Sequence, residues 1–334
     1  MKLIIQIPCY NEAATLGVTV ADLPRHIDGI DEIEYLVIDD GSTDGTALRA
    51  KELGVHHIVG FPHNRGLAKG FMAGIDACLR LGADIIVNTD ADNQYSGADI
   101  EKLVRPVLEG KANMVIGNRR TDGIAHFSPL KKRLQKLGSG VVRAASGTDV
   151  ADTTSGFRSY SREAAMRLNV LSGYTYTLET IITAGADKNK ILSVDISTNP
   201  ELRESRLFKS VRSYIKRSAA TIIRNYVMRR PLKTFLMIAA VFVLAALALG
   251  VRFIVLACMG DGAGHIQSLV LMAILAIVGI QMGVFGLLAD AVSECRRVMD
   301  ETLFHVKRIE YDNTNPNRTN YNVCSYTKEE IDKE

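Results

Sequence analysis

The sequence predicts an α/β domain built on a mostly parallel sheet, followed by two helices that cross a membrane. Three observations carry this. Short apolar runs alternate with helical patterns through the first 120 or so residues. Polar clusters stand just after the apolar runs. Residues 232–290, unlike residues 1–200, are dominated by two long apolar segments.

The strands are expected at 2–7, 34–38, 55–59, 84–88 and 113–117, with helices near 13–23, 44–53, 66–81 and 98–109. Strands separated by helices of this length imply βαβ units and a parallel sheet covered on both faces. The pattern then becomes less regular, with a basic helix at 129–145, a segment Asp152-Thr-Thr-Ser-Gly-Phe-Arg158, a helix near 176–186 and a strand at 191–197. Residues 206–229 place apolar side chains at helical spacing among basic ones, the pattern of a helix lying at a membrane surface. The runs 232–258 and 267–289 each exceed the ~20 residues that cross a bilayer core. Beyond about 312 the chain is polar, rich in Asn and charge, and expected to be disordered.

The net charge of +3 says less than its distribution. From Arg203 to Lys233 ten Lys and Arg face one acid, Glu204. Arg229, Arg230 and Lys233 flank one span, and Arg296, Arg297, Lys307 and Arg308 follow the other. The loop 260–265 between them has no Lys or Arg. The positive-inside rule then puts the N-terminal domain and the C-terminal tail in the cytoplasm. Membrane lipids, not nucleic acid, are the partners this charge pattern implies. Five scattered cysteines without C-x-x-C spacing argue against a disulfide framework or zinc site and fit a reducing compartment. The N-terminus is too short in apolar residues for a signal peptide and reads as a first strand.

Ligands of open parallel sheets bind beyond the carboxyl ends of the strands, which is where the polar clusters lie. Asp90-Ala91-Asp92 follows a strand of buried type. Carboxylates at i and i+2 of an extended segment can both reach one hard cation, Mg²⁺ or Mn²⁺, which also binds diphosphate oxygens. Gln94 is placed to add a neutral oxygen. In Asp39-Asp40-Gly-Ser-Thr-Asp44, helix capping accounts for Ser42, Thr43 and Asp44. It does not account for two adjacent acids before the turn, which are placed to meet a base or ribose. Pro8-Cys-Tyr-Asn-Glu12 stands where a dinucleotide-binding domain carries Gly-x-Gly-x-x-Gly, which disfavours an NAD or FAD enzyme.

Together P-C-Y-N-E, D-D-G-S-T-D, N-R-G-L-A-K-G and D-A-D-N-Q resemble family 2 glycosyltransferases of the GT-A fold, a Rossmann-like α/β arrangement. With two C-terminal spans, the chain is most similar to polyprenyl-phosphate glycosyltransferases, such as dolichyl-phosphate mannose synthase. The resemblance implies that Pro8, Tyr10, Glu12, Asp39, Asp40, Lys69, Asp90 and Ala91 line a nucleotide. It also implies that Asp90, Asp92 and Gln94 hold the cation. A lipid phosphate acceptor calls for arginine forks; Arg119 falls where the family has a phosphate-binding arginine, Arg133 in the basic helix is the second choice, and Arg203 and Arg206 lie in a stretch that resembles the R-x-x-S-[KR] segment before the family's membrane part. Asp152 falls where the family has an acid facing the acceptor, as a base or an orienting group. Arg158 is a further phosphate candidate. Asp152, Asp92 and Arg119 are thus the expected catalytic residues.

The implied reaction is inverting transfer from a nucleotide-sugar, a UDP-hexose such as UDP-glucose or UDP-glucuronate ahead of GDP-mannose, to a polyprenyl or dolichyl phosphate. By analogy the spans assemble a homo-oligomer. The expected layout is a catalytic domain at 1–205, a juxtamembrane helix at 206–230, the spans within 231–290 and a cytoplasmic tail at 291–334. A processive synthase needs a Q-x-x-R-W motif, which a chain without Trp cannot carry. Another acceptor, or a non-catalytic scaffold, are the alternatives; intact Glu12, Asp39, Asp90 and Asp92 count against the scaffold.

Overall fold

The computed structural model describes residues 1–120, 147–170, 175–186, 190–200, 230–259 and 266–313, with isolated positions between 140 and 228. Arg133, Arg203, Arg206, most of the basic helix at 129–145, most of 206–229 and the tail beyond 313 lie outside the described residues. The chain divides into two compact units, Met1–Ile222 with Leu303–Glu334, and Ile223–Thr302.

The first unit is a seven-stranded mixed sheet in the order β3-β2-β1-β4-β6-β5-β7. Its strands are β1 Lys2–Cys9, β2 Glu32–Asp39, β3 His57–Gly60, β4 Ile85–Asn88, β5 Met114–Asn118, β6 Arg158–Ser161 and β7 Ile191–Asp195. All neighbours are parallel except β6, which runs antiparallel between β4 and β5. Helices α1 Ala13–Asp22, α2 Thr46–Glu52, α3 Leu67–Arg80, α4 Ile100–Leu108, α5 Arg162–Arg167 and α6 Thr177–Ala186 complete the unit.

Strand alternation divides the core. Leu3, Ile5 and Ile7 of β1 pack with Leu16 and Val20 of α1 and Leu103 and Val104 of α4. Ile4 faces the other way, into a cluster with Phe71 and Ile75 of α3, Met166 of α5 and Ile181 of α6. A sheet with period-2 strands, covered on both faces, is the expected outcome of such runs.

Two elements were not anticipated. β6, Arg-Ser-Tyr-Ser, is a buried strand with no apolar run to announce it. The second apolar helix also does not end near 289. The helices α7, Pro231–Cys258, and α8, Ile266–Asn313, are both long and apolar enough to cross a membrane by length and composition, but α8 continues for 48 residues. Residues 291–313 therefore continue this helix. Within Ile223–Thr302, α7 and α8 pack through small residues, as membrane helices do. A Cβ on Gly279 would stand 2.7 Å from Val243, and one on Gly286 3.0 Å from Phe235.

The end of α8 belongs to the first unit and is docked there. Phe304 and Tyr311 are buried in the α3/α5/α6 cluster. The Arg167 guanidinium stands 3.9 Å over the Phe304 ring. The Tyr311 hydroxyl donates to Asp76 at 2.5 Å, and Arg80 pairs with Glu310 at 2.5 Å. Lys307 donates to the Leu168 carbonyl at 3.0 Å. Truncating Phe304 to alanine is expected to cost about 3 kcal/mol, read as a lower midpoint in denaturant; an unchanged midpoint would show that this end does not dock.

Candidate active site

The sheet brings the polar clusters to one edge. β1 lies between β2 and β4, with Cys9 beside Asp39 and Gln6 beside Asn88. Tyr10–Glu12, Asp39–Asp40 and Thr89–Asp92 thus leave adjacent parallel strands at their carboxyl ends. Arg119 leaves the same edge after β5. The segment 152–157 enters β6 there, since Arg158 pairs with both Asn88 and Ile116.

The first two loops are stapled together. Asn11 donates its N–H to Ser42 Oγ at 2.8 Å and accepts from the Thr43 N–H at 2.9 Å. The Glu12 N–H donates to Thr46 Oγ1 at 2.9 Å. Asn11 holds φ 55°, a left-handed conformation that Asn tolerates better than most residues. Glu12 is buried at the start of α1 and accepts from Thr15 Oγ1 at 2.8 Å, while Tyr10 is exposed and Pro8 half-buried.

The paired acids of β2 differ. Asp39 Oδ1 accepts from the Ser42 N–H at 3.0 Å. Asp40 accepts from the Arg65 N–H at 2.7 Å with one oxygen and from the Gly66 N–H at 2.9 Å with the other. Asp40 therefore shapes the loop ahead of α3. Gly41, between the acids and Ser42, has φ +69°, and a Cβ there would meet the His63 backbone at 2.5 Å, so only glycine fits this turn. Lys69 is exposed in the first turn of α3.

At the end of β4, Asn88 and Thr89 are buried and Asp90 and Asp92 are half-buried. The Ala91 carbonyl accepts from Thr19 Oγ1 of α1 at 2.9 Å, fixing the middle of the turn. Asp92 Oδ1 accepts from the Gln94 N–H at 3.2 Å, and the Gln94 carbonyl accepts from the Asn199 N–H at 2.9 Å. The chemistry suits a hard cation shared with a ligand, two carboxylates separated by one residue; among the described residues no group of three or more His, Cys, Asp and Glu stands together to hold one alone. Gly156 borders Asp90, and a Cβ there would stand 3.1 and 3.2 Å from the two carboxylate oxygens.

Arg119 and Asp152 form a two-pronged ion pair. Nε donates to one Asp152 oxygen at 2.7 Å and an Nη to the other at 3.1 Å, and the same Nη donates to Thr154 Oγ1 at 2.8 Å. Burial pushes the Asp152 carboxyl up, but the Arg119 charge and the hydrogen bonds from Arg119 and Thr154 outweigh it and hold the group below the usual carboxylate range. Burial likewise opposes charge on Arg119, and Tyr95, Asp152 and Asp90 overcome it, raising its pKa. A carboxylate this firmly ionised and engaged orients its arginine and is a poor proton acceptor.

Arg158 is not a phosphate contact. It is fully buried and donates to the carbonyls of Ser155 at 2.8 Å, Thr177 at 3.0 Å and Thr153 at 3.1 Å, and to Thr180 Oγ1 at 2.7 Å. It stitches the 152–157 segment to α6. Sequence reasoning also gave no role to Asn88, Tyr95 or Tyr176, which surround Gly156; no motif marks the last of these.

Comparison with known proteins agrees with this arrangement. The model of "Glycosyl transferase family 2" matches residues 4–168. The chain is 30% identical over 218 residues to an undecaprenyl-phosphate mannosyltransferase of Micrococcus luteus, covering 62% of this chain and 88% of that one. An undecaprenyl-phosphate 4-deoxy-4-formamido-L-arabinose transferase of Photorhabdus laumondii aligns over 96% of this chain and 98% of its own at 25% identity, through both long apolar helices. Among solved structures, glucosyl-3-phosphoglycerate synthase of Mycobacterium tuberculosis, crystallised with Mn²⁺, UDP and phosphoglyceric acid, superposes with a TM-score of 0.52. It is 21% identical and the match covers 68% of this chain and 77% of that one, a likeness of GT-A fold. Strand-end acids on a mixed sheet, the family model and a relative matched over most of its length point the same way: this chain is a member of glycosyl transferase family 2.

Proposed function

We propose that the protein transfers a sugar from a nucleotide-sugar to a polyprenyl phosphate at the cytoplasmic face of a membrane, with inversion and with a divalent cation. The observation that supports this most is the pairing, at one sheet edge, of the Asp90/Asp92 carboxylates with an arginine fork held by Asp152. The names of the relatives, which act on undecaprenyl phosphate, point to the same acceptor class. The basic flanks of the two spans support the cytoplasmic placement. In this reading residues 1–205 carry the chemistry, 206–230 lie along the membrane surface and 231–290 cross it.

Asp90 and Asp92, with Gln94, would hold the cation. When bound, Mg²⁺ or Mn²⁺ neutralises the charge that gathers on the departing diphosphate. Tyr10, Glu12, Asp39 and Lys69 line the nucleotide, and Asp40 supports them by fixing the loop at Arg65. Arg119, locked by Asp152, orients the acceptor phosphate. With a second pKa near ~6 this phosphate is already largely deprotonated, so no strong base is needed. One of its oxygens forms the bond to the anomeric carbon as the bond to the diphosphate oxygen breaks, and the nucleoside diphosphate leaves with that electron pair. Proximity and fixed charge supply the acceleration.

The sugar is taken to be a UDP-hexose ahead of GDP-mannose. A panel of nucleotide-sugars offered with polyprenyl phosphate and Mg²⁺ or Mn²⁺, read as lipid-linked product, tests both levels. Product from a UDP-hexose is the expected result. Product from GDP-mannose alone overturns the donor, and no product from any donor overturns the acceptor class or the activity itself.

A further inference from the structure

Beside Asp90 lies a buried polar cluster that the transfer chemistry does not use directly. The Gly156 peptide is held on both sides. Its N–H donates to Tyr95 Oη at 3.1 Å, and its carbonyl accepts from Asn88 Nδ2 at 2.8 Å and from Tyr176 Oη at 3.4 Å. Asn88 Nδ2 also donates to Tyr176 Oη at 3.0 Å, and Asn88 Oδ1 accepts from Gln6 Nε2 at 2.9 Å, which fixes the side-chain amide. The rings cannot retreat. Tyr95 is stacked on Phe157 with centroids 4.8 Å apart, and Tyr176 on Phe71 at 3.8 Å. Gln6 and Asn88 are 0% exposed, Tyr176 1% and Tyr95 4%.

Three buried polar side chains, Asn88, Tyr95 and Tyr176, converge on the residue that borders a carboxylate. A Cβ at position 156 would meet Tyr176 Oη at 3.0 Å as well as both Asp90 oxygens. Tyr176 is stacked on Phe71, so the crowding from such a Cβ bears on the Asp90 carboxylate.

We propose that Gly156, clamped by Tyr95, Asn88 and Tyr176, is a positioning residue for Asp90, its bare Cα setting where the carboxylate stands and hence how tightly the divalent cation is held. This rests on the cation reading given above. Mg²⁺ demands near-ideal octahedral geometry at ~2.0–2.1 Å, so a carboxylate displaced by a few tenths of an ångström weakens Mg²⁺ binding first. The same segment carries Asp152, the seat of Arg119. The cation side and the arginine side of the pocket are therefore built on one stretch of chain, fixed at Gly156 and at Arg158.

The test is direct cation binding by the full-length protein in detergent with UDP, free Mn²⁺ being counted by electron paramagnetic resonance and Mg²⁺ added as competitor. Gly156→Ala is expected to weaken Mn²⁺ about 10-fold or more, within the range that outer ligand-supporting contacts command, and Mg²⁺ by a larger factor. Tyr176→Phe alone weakens Mn²⁺ a few-fold. Combined with Gly156→Ala it restores part of the loss, because removing Oη gives the new methyl somewhere to go; such non-additivity is the mark of a shared contact. A purely structural role would lower the melting temperature and leave cation affinity alone. Gly156→Ala binding Mn²⁺ like the wild type, or a double variant weaker than Gly156→Ala, overturns the proposal. If Gly156→Ala does not fold, unchanged affinity in Tyr176→Phe overturns it. Asp92→Ala separates the two levels. Wild-type Mn²⁺ binding that does not depend on Asp92 sinks the cation reading, and with it this one. Binding that depends on Asp92 but ignores Gly156 sinks the positioning role alone.

Discussion

Asp92→Ala is expected to reduce sugar transfer by about 10³-fold or more while the protein stays folded. The magnitude follows from the cation's share of transition-state charge, about 4 kcal/mol, at roughly 1.4 kcal/mol per tenfold in rate. The fold survives because Asp92 lies on a half-buried turn whose middle is held through the Ala91 carbonyl, and its contact with the Gln94 N–H is replaceable by water. Initial rates over a series of Mn²⁺ concentrations, with the melting temperature alongside, check this. Near-normal turnover in the variant would sink the assignment of Asp92 to the cation.

The second large effect is at Arg119, where activity and stability fall together and can be separated. Arg119→Ala strands the Asp152 carboxylate, which is 3% exposed, without its partner. Breaking a buried pair this way costs about 3–5 kcal/mol of stability. Transfer is expected to drop about 10²-fold or more as the acceptor loses the guanidinium charge that Asp152 holds in place. Adding Asp152→Asn removes the stranded charge, so the double variant should regain stability without regaining activity. If activity returned with stability, Arg119 would be a structural group only. Arg119→Lys should also fail to restore transfer, because an ammonium cannot reproduce the two parallel bonds that Asp152 receives.

Much of the fold was legible because its determinants are local. Apolar runs such as Leu-Ile-Ile-Gln-Ile and Asp-Ile-Ile-Val-Asn mark buried parallel strands, and acids just after them mark the ligand edge. What was not legible depended on distant partners. β6 reads as polar in sequence, yet β4 and β5 cover it and Arg158 finds three carbonyls and a hydroxyl. Asp39 and Asp40 look equivalent in sequence, and only the approach of the Arg65–Gly66 backbone tells them apart. The Arg119–Asp152 pair joins residues 33 positions apart with no periodicity to link them. The extension of α8 was missed because residues 291–313 are charged and no longer apolar, although Phe304 and Tyr311 stand seven residues apart, on one helical face.

That docked end of α8 has a consequence for the order of events in synthesis. Residues 223–302 are, in sequence, an insertion between two stretches that pack into one body. A ribosome delivers the sheet first, then both apolar helices, and only afterwards Phe304 and Tyr311. Domains ordinarily fold as they emerge, but here the patch on α3 and α5 stays uncovered until the hairpin has been made. Completion of the first unit is thereby timed to follow synthesis of the two long apolar helices.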